Sequence, residues 1–292
     1  MAYKLLALDL DGTVLSGSLA ISPRVRAAVA AAQAQGVHVT IATGRMFGAT
    51  VPFAQQLGID GPLICFQGAL IRDTRDGAVW YHQPTPARLA AEAIEQLIAR
   101  DIFVIAYIDE RLWIARPRPE LDLYLSWHPE RPEVVVDPNL PQAIVHARIA
   151  RLLSQGENAV ADDLAGTAVA NPPTKLLFVA DSPVVEREVA RLAAHFAGRL
   201  EVVRSHTLFG ELTAPDVNKG AALAQLAARL GIAREEVIAI GDHENDLPMI
   251  EWAGLGLAMA NGIPAAHAAA DAVVPHVAED GVAWAIERYI LA

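Results

Sequence analysis

Residues 5–15 read LLALDLDGTVL, and this stretch decides the fold. Its apolar opening is that of a strand covered on both faces. It then ends in two aspartates, Asp9 and Asp11, and breaks at Gly12. Carboxylates two apart on an extended segment point to the same side and repel one another. Something must offset that repulsion, and the candidates lie elsewhere in the chain.

Working outward, Pro23 follows Ser22 as proline follows a helix cap, and alanine-rich sequence carries the helix to Gly36. VHVTIAT (37–43) is the next strand, GRMFGATVPFAQQLG (44–58) reads as helix, and PLICF (62–66) as a third strand. A hairpin near 68–81 turns at DGAV. Strand-helix-strand-helix-strand is the signature of a parallel sheet with helices on both faces. The middle differs. PARLAAEAIEQLIARD (86–101) is a helix, and FVIAYIDERLWIARP (103–117) a strand pair turning at Asp109-Glu110. A proline-rich stretch (116–135) has no clear period, and strands are expected at 144–149 and 174–180. A helix from Pro183 to about Gly198 and a strand at EVVRS follow. From about residue 216 the parallel pattern returns, with NKGAALAQLAARLG a helix and EEVIAIGD a strand. The expected fold is α/β: a Rossmann-like parallel-sheet core (1–83 and 186–292) interrupted by an inserted α+β cap domain (84–185).

The 292 residues suffice for two cores. A formal charge of −11 gives no support to a nucleic-acid or anionic-membrane surface. Residues 1–15 are neither a signal nor a transit peptide, and no apolar run reaches membrane-spanning length. The single cysteine, Cys65, has no internal partner, so a reducing cytoplasm is the expected compartment. A monomer and a homodimer are equally compatible with the sequence.

In parallel sheets ligands bind outside the carboxyl ends of the strands, and the polar residues fall at those ends. The first strand ends in Asp9 and Asp11, the second in Thr43-Gly44-Arg45. VIAIGD ends in Asp242, with Asn245 and Asp246 just beyond, and Lys219 opens a helix. Three or four oxygen ligands drawn from Asp9, Asp11, Asp242, Asn245 and Asp246 suit a hard cation such as Mg²⁺, which also removes the opening repulsion. Taken singly, each acid reads better as a helix cap or turn former; their joint placement after apolar strands favours a site. Thr43 and Lys219 add a hydroxyl and an ammonium able to hold a phosphoryl group. Backbone N–H groups around Asp11 and Gly12 offer a cradle, Gly12 allowing close approach. Lys219 opposes the dipole of the helix it opens and needs a compensating partner.

The combination resembles the haloacid-dehalogenase-like phosphohydrolase superfamily, and within it the Cof-type branch with a large inserted α/β cap. LLALDLDGT matches the opening motif, TGR (43–45) the second, NKGAAL (218–223) the lysine motif and GDHENDLPMI (241–250) the last. The resemblance implies that Asp9 is the nucleophile, forming an aspartyl-phosphate. Asp11 would protonate the leaving oxygen and later activate water. Asp9, the Asp11 carbonyl and Asp242 would bind Mg²⁺, with Asn245 and Asp246 completing or orienting the shell. Thr43, Lys219 and a Gly44 N–H would hold the phosphoryl, with Arg45 a structural or substrate-side contact. One departure stands out: FQGAL places Gln67 where the family usually has asparagine before Gly68, so a shifted loop or substrate contact is expected there.

The implied function is a Mg²⁺-dependent phosphatase for small phosphorylated metabolites, sugar phosphates or phosphorylated cofactors. A phosphotransferase or mutase differs only in the acceptor. A receiver-type signalling module or a phosphometabolite sensor is disfavoured because no catalytic position is replaced. Trp113, Arg118, Tyr124, Trp127 and His128 are candidate cap contacts, each more readily explained by packing. His38, His195, His206, His267 and His276 lack ligand spacing, His243 lies inside the last motif as a loop residue beside the metal rather than a ligand, and Trp252 and Trp284 read as core.

Overall fold

The computed structural model describes residues 2–17, 19–126, 131–145 and 171–292. The chain divides into two compact units, Met1–His82 with Val217–Ala292, and Gln83–Asp216.

In the first unit, strands β1 (Leu5–Leu8), β2 (His38–Ile41), β12 (Val237–Gly241), β13 (Leu255–Met259) and β14 (Ala272–Val274) form one sheet in the order β14-β13-β12-β1-β2. Every pair in it is parallel. All four β1 residues are buried, which explains the apolar run; each buried leucine contributes about 1.5–3 kcal/mol. The register pairs Leu8 with both Ile240 and Ile41. The residues that follow, Asp9, Gly241-Asp242 and Ala42-Thr43, therefore emerge at one level. Strand order reverses between β1 and β12, the switch point at which open α/β sheets bind ligands.

The strand β3 (Pro62–Cys65) departs from a simple third parallel strand. It joins the main sheet only through one parallel bridge, Ala42 with Ile64, and otherwise pairs antiparallel in a meander with β4 (Leu70–Asp73) and β5 (Val79–His82). Helix Pro23–Ala34 starts as expected, with Ser22 Oγ accepting from Val25 N at 3.1 Å. Helix Lys219–Leu230 is capped by Asn218, whose Oδ1 accepts from Ala221 N at 2.8 Å, and ends at Gly231 in the left-handed region. Its Ala222, Leu223 and Leu226 pack on Leu5, Ala7, Ile64 and Ile71. A Cβ at Gly220 would overlap the Pro248 carbonyl, so glycine there lets this helix start lie against helix Leu247–Trp252. Trp252 and Trp284 are half-buried at the edge of the core rather than inside it.

The second unit holds a six-stranded sheet of order β10-β11-β9-β6-β7-β8. Its strands are β6 (Phe103–Ile108), β7 (Arg111–Ile114), β8 (Val134–Val136), β9 (Lys175–Val179), β10 (Glu201–His206) and β11 (Phe209–Thr213). All pairs are antiparallel except β7 with β8. The β6–β7 turn is where expected: Asp109 and Glu110 have φ of 52° and 61°, as a two-residue type I′ hairpin requires. Helices Ala87–Ile98 and Ser182–His195 cover one face through Ile94, Leu97, Val185 and Leu192.

Three expectations need correction. Residues 186–216, assigned to the core, belong to the second unit, because β10 and β11 extend the antiparallel sheet from β9 and helix Ser182–His195 packs on it. Residues 144–145, expected to open a strand, are helical, as is the whole of 140–145; the remainder of 144–149 lies outside the described residues. The proline-rich stretch is not irregular throughout, since it contains helix Pro119–Leu125 and β8. Among the candidate cap contacts, Trp113 and Tyr124 are buried, the Tyr124 hydroxyl being bonded to that of Tyr107. Arg118 is paired with Asp101 and Glu120, and Trp127 and His128 lie outside the described residues.

Candidate active site

The acids of the first motif sit on a tight loop in which Thr13, Val14 and Leu15 N–H groups all donate to the Leu10 carbonyl. Asp9 leaves β1 with its N–H bonded to Ile240 O at 3.0 Å, which fixes it beside the end of β12. Its carboxylate is buried, and Oδ1 accepts from Lys219 Nζ at 2.6 Å. The same ammonium donates to Asp246 Oδ1 at 2.6 Å. Lys219 is 0% exposed, so these two carboxylates are the compensation that a cation at a helix start requires.

Asp246 is committed on both sides. Its Oδ2 accepts from Asp242 N at 2.9 Å and His243 N at 3.0 Å, making it the brace of the loop after β12. Asp242 Oδ1 accepts from the buried Thr13 hydroxyl at 2.9 Å. Gly12 has φ of 90°, and a Cβ on it would overlap the Asp242 carboxylate. Its N–H is taken by Leu15 O at 3.0 Å, so what Gly12 gives the site is room rather than the N–H donor expected of it. Asn261 ties the same loop down, its Nδ2 donating to Gly12 O at 2.7 Å.

Oxygens of Asp9, Asp242 and Asp246 lie within 4.8 Å of one another, the one group with metal-ligand composition among the described residues. Asp11 and Asn245, also expected as ligands, stand differently. The Asp11 carboxylate is held bidentately by Arg45, Nε to Oδ2 at 2.8 Å and Nη2 to Oδ1 at 2.7 Å. Asn245 Nδ2 donates to Gln67 Oε1 at 3.0 Å, while Asn245 Oδ1 is buried with no hydrogen bond from the described residues. Thr43 is buried at the end of β2, its Oγ1 accepting from Arg45 N at 3.2 Å, and Gly44 lies against the Gln67 amide. Of the histidines, His243 meets the cluster through its backbone N–H, while His267 contacts Met259 O, His276 caps Ala278 N and His195 pairs with Glu92.

Three buried carboxylates face one ammonium, and the balance shows in the protonation of Asp9 and Asp242. Burial, then the neighbouring Asp246, holds the Asp9 carboxyl well above the usual carboxylate range against the opposing pull of Lys219. Burial and Asp246 likewise raise Asp242 to about 7, the Thr13 hydrogen bond opposing. For Lys219 burial disfavours the charge, yet Asp246 and Asp9 overcome it and the ammonium is held more firmly than usual. Such a cluster retains protons until a cation displaces them. Clustered acid oxygens, an orphaned buried amide oxygen and protons held in reserve all fit a hard divalent ion.

Sequence reasoning placed Asp9, Asp11, Thr43, Lys219 and Asp242 at strand and helix ends but gave no part to Thr13 or Asn261. Thr13 stood inside the quoted first motif. Asn261, at the end of LGLAMAN, carried no local signal beyond its position after a strand.

The site thus joins a strand-end carboxylate, a buried lysine bonded to it and a cluster of acid oxygens at the switch point of a parallel sheet. The family model for haloacid dehalogenase-like hydrolase matches residues 6–286, and the chain belongs to that family. Among relatives, YxeH of Bacillus subtilis strain 168 is 30% identical over 296 residues, with 99% of each chain covered. The pyridoxal phosphate phosphatase YbhA of Escherichia coli K12 is 27% identical over 291 residues, with both chains covered in full. Among solved structures, a haloacid dehalogenase-like hydrolase from Bacteroides thetaiotaomicron superposes with a TM-score of 0.77 at 28% identity, covering 98% of this chain and 99% of the other. No helix among the described residues is long and apolar enough to cross a membrane.

Proposed function

We propose that the protein is a Mg²⁺-dependent phosphatase that hydrolyses small phosphorylated metabolites through a phosphorylated Asp9. The observation that carries this reading is the buried Asp9–Lys219–Asp246 bridge, with Asp242 completing an acidic cluster beside it. The phosphatase named among its relatives, YbhA, and the family match support it.

Asp9, Asp242 and the Asp11 carbonyl would hold the cation, with Asn245 within the same loop set and Asp246 orienting it through Lys219 and the Asp242 and His243 amides. The bound ion supplies charge neutralisation toward the phosphoryl oxygens. One Asp9 oxygen attacks phosphorus, and the bond to the leaving oxygen breaks as Asp11 delivers its proton there. Water then attacks the phosphoryl on Asp9 and gives a proton to Asp11. The Asp9–phosphorus link breaks, and inorganic phosphate and the free carboxylate result. Lys219 and Thr43 hold the phosphoryl as its charge redistributes. Asp11 serves in this way once an oxygen is released from Arg45. Transfer to a second hydroxyl in place of water is the same chemistry with another acceptor.

The test is phosphate release from sugar phosphates, nucleotides, pyridoxal phosphate and flavin mononucleotide, with Mg²⁺ and with EDTA. Turnover confined to the Mg²⁺ samples is expected, and kcat/KM ratios rank the substrates. Folded, Mg²⁺-bound protein that turns over none of them would end the hydrolase reading.

Protonation of the cluster gives an expectation of its own. Asp242 is raised from its ordinary 3.8 to about 7. Between those values the folded, metal-free protein binds more protons than the unfolded chain, so its stability falls as pH rises through the window. A cation that needs the deprotonated acid works against this. From pH 6 to pH 8 apparent Mg²⁺ affinity should rise about tenfold for one linked proton. The Mg²⁺-induced gain in Tm should therefore be larger at pH 8 than at pH 6. Equal gains at the two values would show that Asp242 does not gate the site.

A further inference from the structure

Gln67 is the position at which the chain departs from the family pattern, and the structure gives it a partner. It follows β3 in a turn where Phe66 and Gln67 have φ of 52° and 61°, a region disfavoured for residues other than glycine. The turn is stitched to the second motif by backbone bonds: Phe66 N to Arg45 O at 3.0 Å and Gln67 N to Thr43 O at 3.0 Å. Its effect is to bury the Gln67 side chain, 3% exposed, against Gly44, where a Cβ would overlap the glutamine amide nitrogen.

From there Gln67 Oε1 accepts from Asn245 Nδ2 at 3.0 Å. Because an oxygen accepts on the glutamine, Asn245 must present its NH₂ to it and turn its own oxygen elsewhere. That oxygen is buried without a hydrogen-bond partner among the described residues, on the loop that also carries Asp242 and Asp246. An orphaned buried acceptor is rare in a folded protein and calls for a ligand. We propose that Gln67 is a positioning residue that fixes the Asn245 amide so that its Oδ1 is presented to the cation or to a water on it. Asparagine at 67 is shorter by one carbon–carbon bond, ~1.5 Å, and falls short of Asn245. The inference rests on the Mg²⁺ reading given above.

The test is calorimetric titration of the full chain with Mg²⁺, alongside the Mg²⁺ dependence of phosphate release, for wild type, Gln67→Met, Gln67→Asn, Gln67→Glu and Asn245→Ala. Methionine keeps the chain length and removes the acceptor, whereas glutamate keeps an acceptor oxygen. Gln67→Met and Gln67→Asn should each weaken Mg²⁺ binding about tenfold, as loss of a partner that orients a metal ligand does. Melting temperature should stay near wild type, and kcat at saturating Mg²⁺ should recover to within about twofold. Gln67→Glu should bind at least as well as wild type. Gln67→Met combined with Asn245→Ala should bind no more weakly than Asn245→Ala alone, since the first acts through the second. If Gln67→Met does not fold, Gln67→Asn decides the matter. Wild-type affinity in folded Gln67→Met or Gln67→Asn, or additive losses in the double variant, would overturn the proposal while leaving the phosphatase intact. A wild type that neither binds Mg²⁺ nor releases phosphate would overturn both.

Discussion

Asp9→Asn should abolish phosphate release, lowering kcat by about 10⁴-fold or more, as loss of an attacking group does when its partners act as a unit. Asparagine is nearly isosteric and keeps an oxygen for Lys219, which now lies 2.6 Å from Asp9 Oδ1. The fold should therefore survive. What is removed is the negative charge that attacks phosphorus, and an amide does not replace it. The same change removes one of three buried carboxylates around a single ammonium. Since Asp9 is held well above the usual carboxylate range mainly by its burial, its ionised form burdens the metal-free fold. The variant should consequently melt at or above the wild-type temperature in EDTA at pH 8 while being inactive. Single-turnover phosphate release and a thermal melt in the same buffer check both halves. Residual turnover within tenfold of wild type would remove Asp9 from the role of nucleophile, whatever the melt showed.

The reason Asp9 could be found without a structure is geometric. A strand buried on both faces has no use for a carboxylate, so an acid ending such a run is conspicuous, and the parallel register of β1 with β12 and β2 carries Asp242 and Thr43 to the same level. Lys219 was legible for a similar reason, as a cation where a helix dipole opposes it. Residues whose part depends on a partner far along the chain were not legible. Thr13 matters because its hydroxyl meets Asp242, 229 positions away, and a threonine after glycine in a turn announces nothing of the kind. Asp246 looked like one of several possible ligands, but its oxygens are spent on Lys219 and on two backbone amides.

The inserted region was less readable because its signals are local and its pairing is not. EVVRS has a strand's composition, but nothing in it says whether its neighbour is β9 in an antiparallel sheet or a strand of the parallel one. Residues 186–216 were therefore placed on the wrong side of the boundary. The apolar run around 144 fits either period, and the helical one prevails at 140–145. Lys175 in β9 and Glu211 in β11 are both buried and paired at 2.9 Å. A charge inside a strand can be read as buried only when its counter-charge is known, and here 36 positions separate the two.

The same reasoning gives Lys219→Met the largest effect on stability. Methionine approximates the length of the lysine stem, so packing around helix Lys219–Leu230 is largely kept and the ammonium alone is lost. That leaves Asp9 and Asp246 buried with no cation, and breaking a buried pair in this way costs about 3–5 kcal/mol. For a chain of this size the loss corresponds to roughly 10 °C in Tm. The sign of its pH dependence follows from the acids that remain. Asp9 and Asp242 are already raised by burial and by Asp246, and without Lys219 the pull that opposes this is gone. They should take up protons at still higher pH, so the deficit should be greatest at pH 8 and shrink toward pH 6. Mg²⁺ should recover part of the stability, because a divalent ion supplies charge to the same carboxylates. It should not recover turnover, which requires a donor on the transferring phosphoryl as well as neutralisation of the ligands, and kcat should stay about 10³-fold down at saturating Mg²⁺. Melts of the variant at pH 6, 7 and 8, with and without Mg²⁺, separate the two parts. A deficit that grows toward acid pH would mean that the ammonium does not hold these carboxylates in their charged form, and full recovery of activity by Mg²⁺ would confine Lys219 to the fold.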